Sequence, residues 1–281
     1  MKAVPPSSAP VALVTGASAG IGAATARRLH RAGYRVVATA RRQDRLEALA
    51  AEGMRTLALD LTEPAQIDAV AGCIEAELGA VELLVNNAGY GCYGAMEEIP
   101  IAEARRQFEV NLFGLAQLTQ RLLPAMRAAG RGRIINVSSM GGRIYLGMGS
   151  WYHASKHALE GWSDCLRLEL APFGIAVVVI RPGLIGTEFA SVAFEPMLHR
   201  SGNGPYGALA RSVARALEHA YADHRCSSPE LVADTILQAC RARCPRTRYA
   251  PGRLARPLLL ARWLLSDRAF DRLISLQLPR A

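Results

Sequence analysis

The sequence predicts an α/β fold, and two observations lead to that prediction. Six or seven short apolar runs alternate with helical patterns along the 281 residues, which is the order of repeated strand–helix–strand units. The first run, at residues 11–15, is followed at once by a glycine-rich turn and a helical pattern. We therefore expect a doubly wound, mainly parallel sheet of the Rossmann type, with six to seven strands and helices on both faces.

The predicted strands are short and apolar, as strands buried on both faces of a parallel sheet usually are. The run Ala-Val-Val-Val-Ile at residues 176–180 is continuously apolar. Strands are predicted at residues 11–15, 34–40, 56–59, 83–85, 134–137 and 176–180, with a short final strand at 247–250.

The predicted helices follow from apolar spacing and from signals at their ends. The first ends at Gly33, and the next runs through Ile67 and Val70 with Pro64 in its first turn. Further helices are predicted at residues 101–113, 115–126, 151–172 and 229–240, with Ser228 as the cap of the last.

We expect a single domain over residues 11–281, preceded by a flexible stretch at residues 1–10. Residues 184–229 look irregular, and so long a connection is typical of a substrate lid. Residues 252–281 are predicted to form a C-terminal extension of one or two amphipathic helices, broken near Ser266.

The composition predicts a large core and a chain without a membrane span. The apolar share is 51%, and no stretch reaches the length of apolar residues that crosses a bilayer. The six cysteines contain no CxxC pair and match no zinc spacing, so we expect free thiols, no metal site and a reducing, cytoplasmic location. No secretory signal is visible at the N-terminus.

The net charge of +9 is concentrated at the C-terminus. Residues 241–281 contain ten Arg and two Asp, which leaves the first 240 residues almost balanced. No nucleic-acid motif accompanies this charge, and we expect no nucleic-acid partner. The leucines and the tryptophan between residues 258 and 265 leave three alternatives open: contact with an anionic membrane surface, packing on the chain itself, or packing on another subunit.

The glycine-rich turn predicts a phosphate site. Gly16, Gly20 and Gly22 lie between the first strand and the first helix. Glycines let a ligand approach the backbone, and the helix N-terminus offers free N–H groups and a positive dipole end. The alternative is a tight turn without a ligand.

The end of the second strand predicts the cofactor. A fold of this type that binds NAD has an acidic residue there for the ribose 2′-hydroxyl. This chain has Ala40, followed by Arg41 and Arg42, and guanidinium groups suit a 2′-phosphate. NADP(H) is therefore the expected cofactor, and NAD(H) is the alternative. Two arginines that simply begin a solvated helix would give the same pattern.

Tyr152 and Lys156 form the candidate reactive pair. A separation of four residues places both on one face of a helix, one turn apart. The chain has 31 Arg and only two Lys, the other being Lys2, so the choice of an ammonium at 156 is informative. We expect this ammonium to lower the pKa of Tyr152, so that the phenol exchanges a proton near neutral pH. A chance pair on a helix surface is the alternative.

Other polar residues follow predicted strands directly and should meet at the same edge of the sheet. Asn87 follows the fourth strand, Ser139 the fifth, and Pro182 with Gly183 the sixth. Asn111 lies within a predicted helix, where asparagine is unfavourable unless it is exposed or points into a site. This convergence favours a functional site over a chance pair.

With these residues in place, the chain resembles a classical short-chain dehydrogenase/reductase, chiefly between residues 11 and 189. The similarity is carried by six motifs in the order that the family has them: Thr15-Gly16-x-x-x-Gly20-Ile21-Gly22, Asn86-Asn87-Ala88-Gly89, Asn111, Ser139, Tyr152-x-x-x-Lys156, and Pro182-Gly183 with Thr187.

The resemblance implies a role for each motif. Tyr152 would exchange the hydroxyl proton, Ser139 would bind the substrate oxygen, Lys156 would bind the nicotinamide ribose and lower the Tyr pKa, and Asn111 would hold a water next to Lys156. The resemblance places Gly16, Ser18, Gly20, Ile21 and Gly22 around the pyrophosphate and ribose, Asp60 and Leu61 at the adenine, Asn87 at the adjacent ribose, and Ile185 and Thr187 at the carboxamide and phosphate side. The remaining predicted cofactor contacts are Ala19, Arg41, Arg42, Ala88, Gly89, Tyr152, Lys156, Pro182 and Gly183.

Within the family, the chain is similar to the hydroxysteroid and retinol dehydrogenase branch. This implies a small lipophilic alcohol or carbonyl substrate, of steroid, retinoid or polyketide type, and a homodimer or homotetramer. The predicted substrate contacts are Ser139, Met140, Leu146, Met148, Leu184 and Phe189. A binding protein that senses NADP(H) without turnover is the alternative from another functional class.

Overall fold

A computed structural model of the chain describes residues 9–222 and 226–276. Its strands are β1 Val11–Thr15, β2 Arg35–Ala40, β3 Arg55–Ala58, β4 Val81–Asn86, β5 Gly132–Val137, β6 Ile175–Ile180 and β7 Arg248–Tyr249. They form one sheet in the order β3-β2-β1-β4-β5-β6-β7, and every neighbouring pair is parallel. The predicted fold class is confirmed. Residues 1–8 of the stretch that we predict to be flexible lie outside the described residues.

The helices agree with the prediction except at Glu47–Ala51, where no helix is predicted, and over residues 184–229. They are α1 Gly20–Arg31, α2 Glu47–Ala51, α3 Pro64–Leu78, α4 Ile101–Phe108, α5 Gly114–Ala128, α6 Ser150–Leu170, α7 Phe189–Ser201, α8 Gly207–Tyr221, α9 Pro229–Arg241, α10 Ala255–Leu264 and α11 Asp267–Leu276. A π-helical turn, Glu109–Phe113, joins α4 to α5. Ser228 is the N-cap residue of α9, but its side chain makes no capping hydrogen bond, so the cap is wrong in that respect.

The prediction that residues 184–229 are irregular is wrong. Most of this region forms α7 and α8, which pack against each other. Pro196 within α7 and the glycines between the two helices are typical of loops, and they mislead a reading of the sequence alone. The two helices bury Phe194 and Met197 in a shared apolar cluster, and this tertiary packing stabilises them.

The sheet is covered on both faces because successive residues of each strand point to opposite sides. Along β1, Ala12 and Val14 face the apolar layer of α1, α2 and α9, whereas Val11 and Leu13 face the layer of α3, α5 and α6. Every residue of β1 is buried.

The strand order reverses next to β1. The chain proceeds from β1 outwards to β2 and β3, and then returns to place β4 on the other side of β1. Neighbouring loops diverge at such a point and leave a crevice at the carboxyl ends of the strands. The turn after β1 and the loop after β4 flank this crevice.

The C-terminal extension is two helices that pack partly on the chain itself. Phe270 and Ile274 of α11 are buried against Ile144, in the segment that precedes α6. The chain breaks between the helices at Leu265 and Ser266, as predicted. Among the residues that the structure describes, no helix has both the length and the apolar character needed to cross a bilayer.

Candidate active site

A cleft opens at the carboxyl edge of the sheet and brings together most of the predicted site. It is lined by every residue that we predict to contact the cofactor, and by the predicted Ser139, Tyr152, Lys156 and Phe189. Of the predicted catalytic residues, only Asn111 is not part of its wall.

The glycine turn could not be built from other residues. Gly16 and Gly20 have positive φ angles, +66° and +52°, which L side chains rarely adopt. A Cβ on Gly22 would lie 2.2 Å from the carbonyl oxygen of Gly16. The turn therefore brings backbone close to the cleft, at the N-terminus of α1, where free N–H groups can bind an anion.

Asn87 fixes the glycine turn to the neighbouring loop. Its Nδ2 donates to the carbonyl oxygens of Thr15 and Gly16 at 2.9 and 3.1 Å. The Thr15 hydroxyl accepts in return from the backbone N–H of Asn87 and of Ala88, each at 3.1 Å. The Asn87 side chain therefore holds two loops together, and Asn87 also lies in the wall of the cleft, where a cofactor contact is predicted.

The end of β2 has the charge that a phosphate requires. Arg41 and Arg42 line the cleft, and both are exposed. Among the described residues, neither forms an ion pair with an acidic side chain. Asp60, an acid that also lines the cleft, accepts hydrogen bonds from the backbone and the hydroxyl of Thr62, both at 2.9 Å. This rim of the cleft therefore offers two cations and an acid that is already bound locally.

Tyr152 lies in the first turns of α6, buried, with its phenol in the cleft. Burial raises the pKa of Tyr152 to about 12, while a hydrogen bond with the Ser139 side chain lowers the pKa. Ser139 Oγ accepts from the backbone N–H of Gly141 at 3.0 Å, which orients its own proton away from that turn. The two hydroxyls therefore face the same point of the cleft.

Lys156 is buried below Tyr152, one turn further along α6. Its Nζ donates to the carbonyl oxygen of Val137 at 3.0 Å, and burial lowers its pKa to about 8, against a raising effect of Glu160. The prediction of a lowered pKa for Tyr152 is wrong, because desolvation of the phenol raises the pKa by more than the Ser139 hydrogen bond lowers it.

Asn111 lies in the π-helical turn and is fully buried. Its amide donates to the carbonyl oxygen of Tyr90 and to Ser155 Oγ, each at 3.0 Å, and accepts from the N–H of Tyr90 at 3.1 Å. A Cβ on Gly89 would lie 3.0 Å from Asn111 Oδ1 and 3.4 Å from Lys156 Nζ. Asn111 is therefore behind the wall and holds the segment that separates it from Lys156, in a helix irregularity of the kind common at functional sites.

A buried ion network lies one turn beyond Lys156. Glu160, 3% exposed, accepts two hydrogen bonds from Arg181 at 2.7 Å and one from Arg248 at 3.2 Å. Arg248 also pairs with Asp164. Arg181 follows β6 directly and precedes Pro182 and Gly183, so the network ties the helix of Tyr152 to the loop that lines the cleft.

The predicted substrate contacts are only partly in the cleft. Met140 and Leu146 pack in the cluster beneath α10 and α11, Met148 is buried in the cluster that contains Tyr152, and Leu184 is buried beside the backbone of Arg253. None of these four lines the cleft. The reason is that the segment after Ser139 turns away from the cleft towards the C-terminal helices, which the sequence does not disclose.

Aromatic and apolar residues from α7 and α8 take their place. Val192 and Tyr221 line the cleft together with Phe189, whose ring centroid lies 5.4 Å from that of Tyr152. Burial raises the pKa of Tyr221 well above its usual range, so this phenol stays neutral. Val192 and Tyr221 were missed because their region was read as irregular, and no short motif marks them.

The comparisons with known proteins agree with this geometry. The family model for the short chain dehydrogenase matches residues 10–197. The chain is 35% identical over 263 residues to the uncharacterized oxidoreductase YbbO of Escherichia coli, covering 93% of each chain. It is 33% identical over 279 residues to the NADPH-dependent 3-dehydrocapnine reductase of Ornithobacterium rhinotracheale, covering 93% of this chain and 95% of that one.

Solved structures match over the same length. A short-chain dehydrogenase from Streptomyces avermitilis is 36% identical, with a TM-score of 0.81 over 95% of this chain and 96% of that one. A serine dehydrogenase complexed with NADP+ is 28% identical, with a TM-score of 0.75 over 86% and 94% of the two chains.

Proposed function

This chain belongs to the short-chain dehydrogenase/reductase family of oxidoreductases, and from that premise we propose that it transfers a hydride between NADP(H) and a lipophilic alcohol, ketone or aldehyde. The observation that carries the proposal is the meeting of Tyr152, Ser139 and Lys156 in the same cleft as the glycine turn. A nucleotide site alone would not require a buried phenol, a buried amine and a half-buried hydroxyl beside it.

The residues of the cleft fit a dinucleotide with a 2′-phosphate. The glycine turn and the N-terminus of α1 hold the pyrophosphate, and Arg41 and Arg42 hold the 2′-phosphate through charge-assisted hydrogen bonds. The absence of an acid at Ala40, where NAD requires one, supports the same choice. Two relatives or neighbours are described as NADPH-dependent or as complexed with NADP+.

Tyr152 holds and moves the proton of the reaction. The nicotinamide, when bound, supplies or accepts the hydride. In reduction the Tyr152 hydroxyl donates its proton to the carbonyl oxygen of the substrate, and in oxidation it accepts the alcohol proton. A pKa raised by burial keeps the Tyr152 phenol protonated at neutral pH, which suits the reducing direction.

Ser139, Lys156 and Asn111 support this proton transfer. Ser139 donates to the same substrate oxygen and orients it towards Tyr152. Lys156, with a pKa near 8, is largely protonated at neutral pH and binds the ribose beside the nicotinamide. Asn111 holds the Tyr90 segment and places its Oδ1 on the side of Lys156, where a water would connect the ammonium to solvent.

The substrate is small and lipophilic, of steroid, retinoid or polyketide type. Support comes from the part of the cleft next to Tyr152, where Phe189, Val192 and Tyr221 present ring and methyl surface. Among the described residues no charged side chain within α7 or α8 lines the cleft, and Glu188, which lines it immediately before α7, pairs with Arg45 at 3.3 Å. α7 and α8 act as the lid over this end.

The protein works as a homo-oligomer in the cytoplasm. Exposed apolar side chains on the helices that follow the cleft support a subunit contact, namely Phe113 beside α5 and Leu168 on α6, 55% and 69% exposed. All six cysteines are free thiols, which suits a reducing compartment.

The test is an oxidation assay with NADPH and NADH against a panel of ketones and aldehydes, run with the wild type and with Tyr152→Phe. We expect NADPH-dependent turnover that falls by roughly 100-fold or more in Tyr152→Phe, with NADPH affinity nearly unchanged. Tyr93→Phe is the matched control, because its ring lies 5.5 Å from Tyr152 without lining the cleft. Cofactor binding without any turnover would favour the sensor, and an active Tyr152→Phe would reject the role of the phenol.

A further inference from the structure

The outer face of α10 presents large apolar side chains to solvent. Leu260, Trp263 and Leu264 are 55%, 79% and 63% exposed, and their spacing places them on one stripe of the helix. The opposite face is already used, since Leu258, Leu259 and Leu265 pack against Phe270 and its neighbours. The exposed stripe therefore does not contribute to the packing of this helix on the rest of the chain.

The charges around this stripe are positive. Arg256 precedes Leu260 by one helical turn, and α11 carries Arg268 and Arg272 in succession on its exposed side. None of these three forms an ion pair among the residues that the structure describes. A cationic margin thus borders the apolar stripe.

The acidic groups that could neutralise this margin are engaged elsewhere. Asp267 pairs with Arg262 at 2.7 Å, and Asp271 accepts from the Tyr145 hydroxyl at 2.9 Å. Arg262 itself stacks over the rings of Tyr145 and Phe270, at 5.5 and 5.6 Å. These contacts fix α10 and α11 to the segment before α6, and leave the remaining arginines to face outwards.

We propose that this face of α10 and α11 docks on the surface of an anionic lipid bilayer. Tryptophan and leucine enter the boundary between headgroups and acyl chains, while arginines at the margin bind anionic headgroups. A second copy of the chain fits this face less well, because a two-fold contact places the same patch of each copy together and would bring the arginine margins of the two patches near each other. The charge of the patch complements a bilayer and repels itself.

The position of the patch relates it to the cleft. The segment on which α10 and α11 pack begins at Met140, directly after Ser139. A docked molecule would hold the helices that support the segment after Ser139 on the membrane, where lipophilic compounds partition. Docking itself does not require catalysis, and it can be measured independently of the proposed function.

The experiment is sedimentation of the full-length protein with vesicles of phosphatidylcholine alone, and with vesicles of phosphatidylcholine and phosphatidylglycerol in equal parts. We expect binding to the anionic vesicles, weakened by high salt, and little binding to the neutral ones. Trp263→Ser with Leu264→Ser should lower the partition coefficient by roughly tenfold or more. Arg256→Glu with Arg268→Glu should lower it by about 30-fold, from about 1 kcal/mol for each basic residue near the surface.

Two controls separate docking from a general loss of folding or of charge. Met96→Ser with Ile101→Ser removes apolar side chains that are 60% and 54% exposed elsewhere, and Arg105→Glu reverses an exposed charge on α4. Both should bind like the wild type. Absence of binding to anionic vesicles by the wild type would overturn the proposal. A wild type that ignores vesicles but sediments as a larger oligomer than the Trp263 and Leu264 variant would assign the face to a second copy instead.

Discussion

The two halves of the cleft are built in different ways. The cofactor half consists of the glycine turn, the end of β2 and the loop after β4, and its key distances are between backbone atoms or from one amide to backbone. The substrate half consists of α7, α8 and the wall beside Tyr152, and its surface is made of side chains such as Phe189 and Tyr221.

This difference shows which part of the cleft tolerates amino-acid substitution and which part does not. A backbone cradle tolerates almost no substitution, because a single added carbon meets a carbonyl oxygen at van der Waals overlap. An apolar side-chain wall tolerates exchange as long as its volume is kept. Substitutions in the cofactor half should therefore have large effects on every substrate, and those in the substrate half smaller effects that depend on the substrate.

Gly22→Ala should give the largest effect in the cofactor half. The new Cβ would lie 2.2 Å from the Gly16 carbonyl oxygen, so the turn must move and its phosphate contacts are lost. We expect NADPH affinity to fall by roughly 100-fold and the free energy of unfolding to fall by about 1–3 kcal/mol. Titration calorimetry and denaturant unfolding measure the two quantities.

Gly161→Ala is the matched control for this change. Gly161 lies within α6, and a Cβ there meets no atom within 4 Å. It should bind NADPH like the wild type and be as stable or slightly more stable, because alanine favours a helix interior by about 1 kcal/mol. Equal losses in Gly22→Ala and Gly161→Ala would contradict a special role for the turn.

Arg41→Ala sharpens the comparison within the cofactor half. Loss of one charge-assisted hydrogen bond to the 2′-phosphate should weaken NADPH binding by about 30-fold and leave NADH binding unchanged. Fluorescence titration with both cofactors measures this. If both affinities fall together, the arginine acts on the shape of the rim and the 2′-phosphate assignment fails.

Tyr221→Ala tests the substrate half. Removal of the ring takes apolar surface from the wall beside Tyr152, and kcat/KM for a lipophilic ketone should fall by about tenfold. The Kd for NADPH should stay within twofold of the wild type, because the two halves of the cleft are formed by different segments of the chain. A comparable loss of NADPH affinity would show that the halves are coupled and break the comparison.

Protonation of His153, which follows Tyr152 on α6, should make the free energy of unfolding depend on pH, with a smaller effect than the substitutions above. It is buried and neutral, its Nε2 accepts from the N–H of Leu146 at 3.1 Å, and burial lowers its pKa below the usual 6.5. The unfolded chain therefore binds this proton first, and stability should be lost as the pH falls below about 6.5. The limiting slope is about 1.4 kcal/mol per pH unit.

The measurement is the free energy of unfolding between pH 5 and pH 8 for the wild type and for His153→Gln. The variant should lose this part of the slope and keep the contribution of the other five histidines. Identical slopes in the two proteins would mean that His153 is not held neutral by its surroundings.

The contrast between the halves also explains what could be predicted from the sequence. The strands and the cofactor half follow from local signals, such as an apolar run that ends in glycines with fixed spacing. The strand that we expect at residues 134–137 is Gly132–Val137, and the shift arises because a residue can join the ladder without being apolar. Local geometry alone places two residues that are one helical turn apart, and it places a residue that directly follows a strand at the edge of the sheet.

The substrate half could not be predicted in the same way, because it depends on contacts between distant segments. Met140 and Leu146 follow Ser139 closely in sequence, but they pack under α10 and α11, more than a hundred residues later. Tyr221 is remote from every motif and reaches the cleft through the packing of α8 on α7. The pKa of Tyr152 was mispredicted for a related reason, since the degree of burial of a phenol is a tertiary property.

The ion network around Glu160 has a consequence for how the protein is made. Glu160 lies on the helix of Tyr152, but one of its two partners, Arg248, belongs to β7, the last strand of the sheet. While the chain is being synthesised, Arg181 follows Glu160 after 21 residues, but the second cation, Arg248, follows only after 88 residues. The ion pair between α6 and β7 can therefore form only when the C-terminal segment is complete. In chimaeras that exchange this segment between relatives, the residues at positions 160 and 248 should be taken from the same parent.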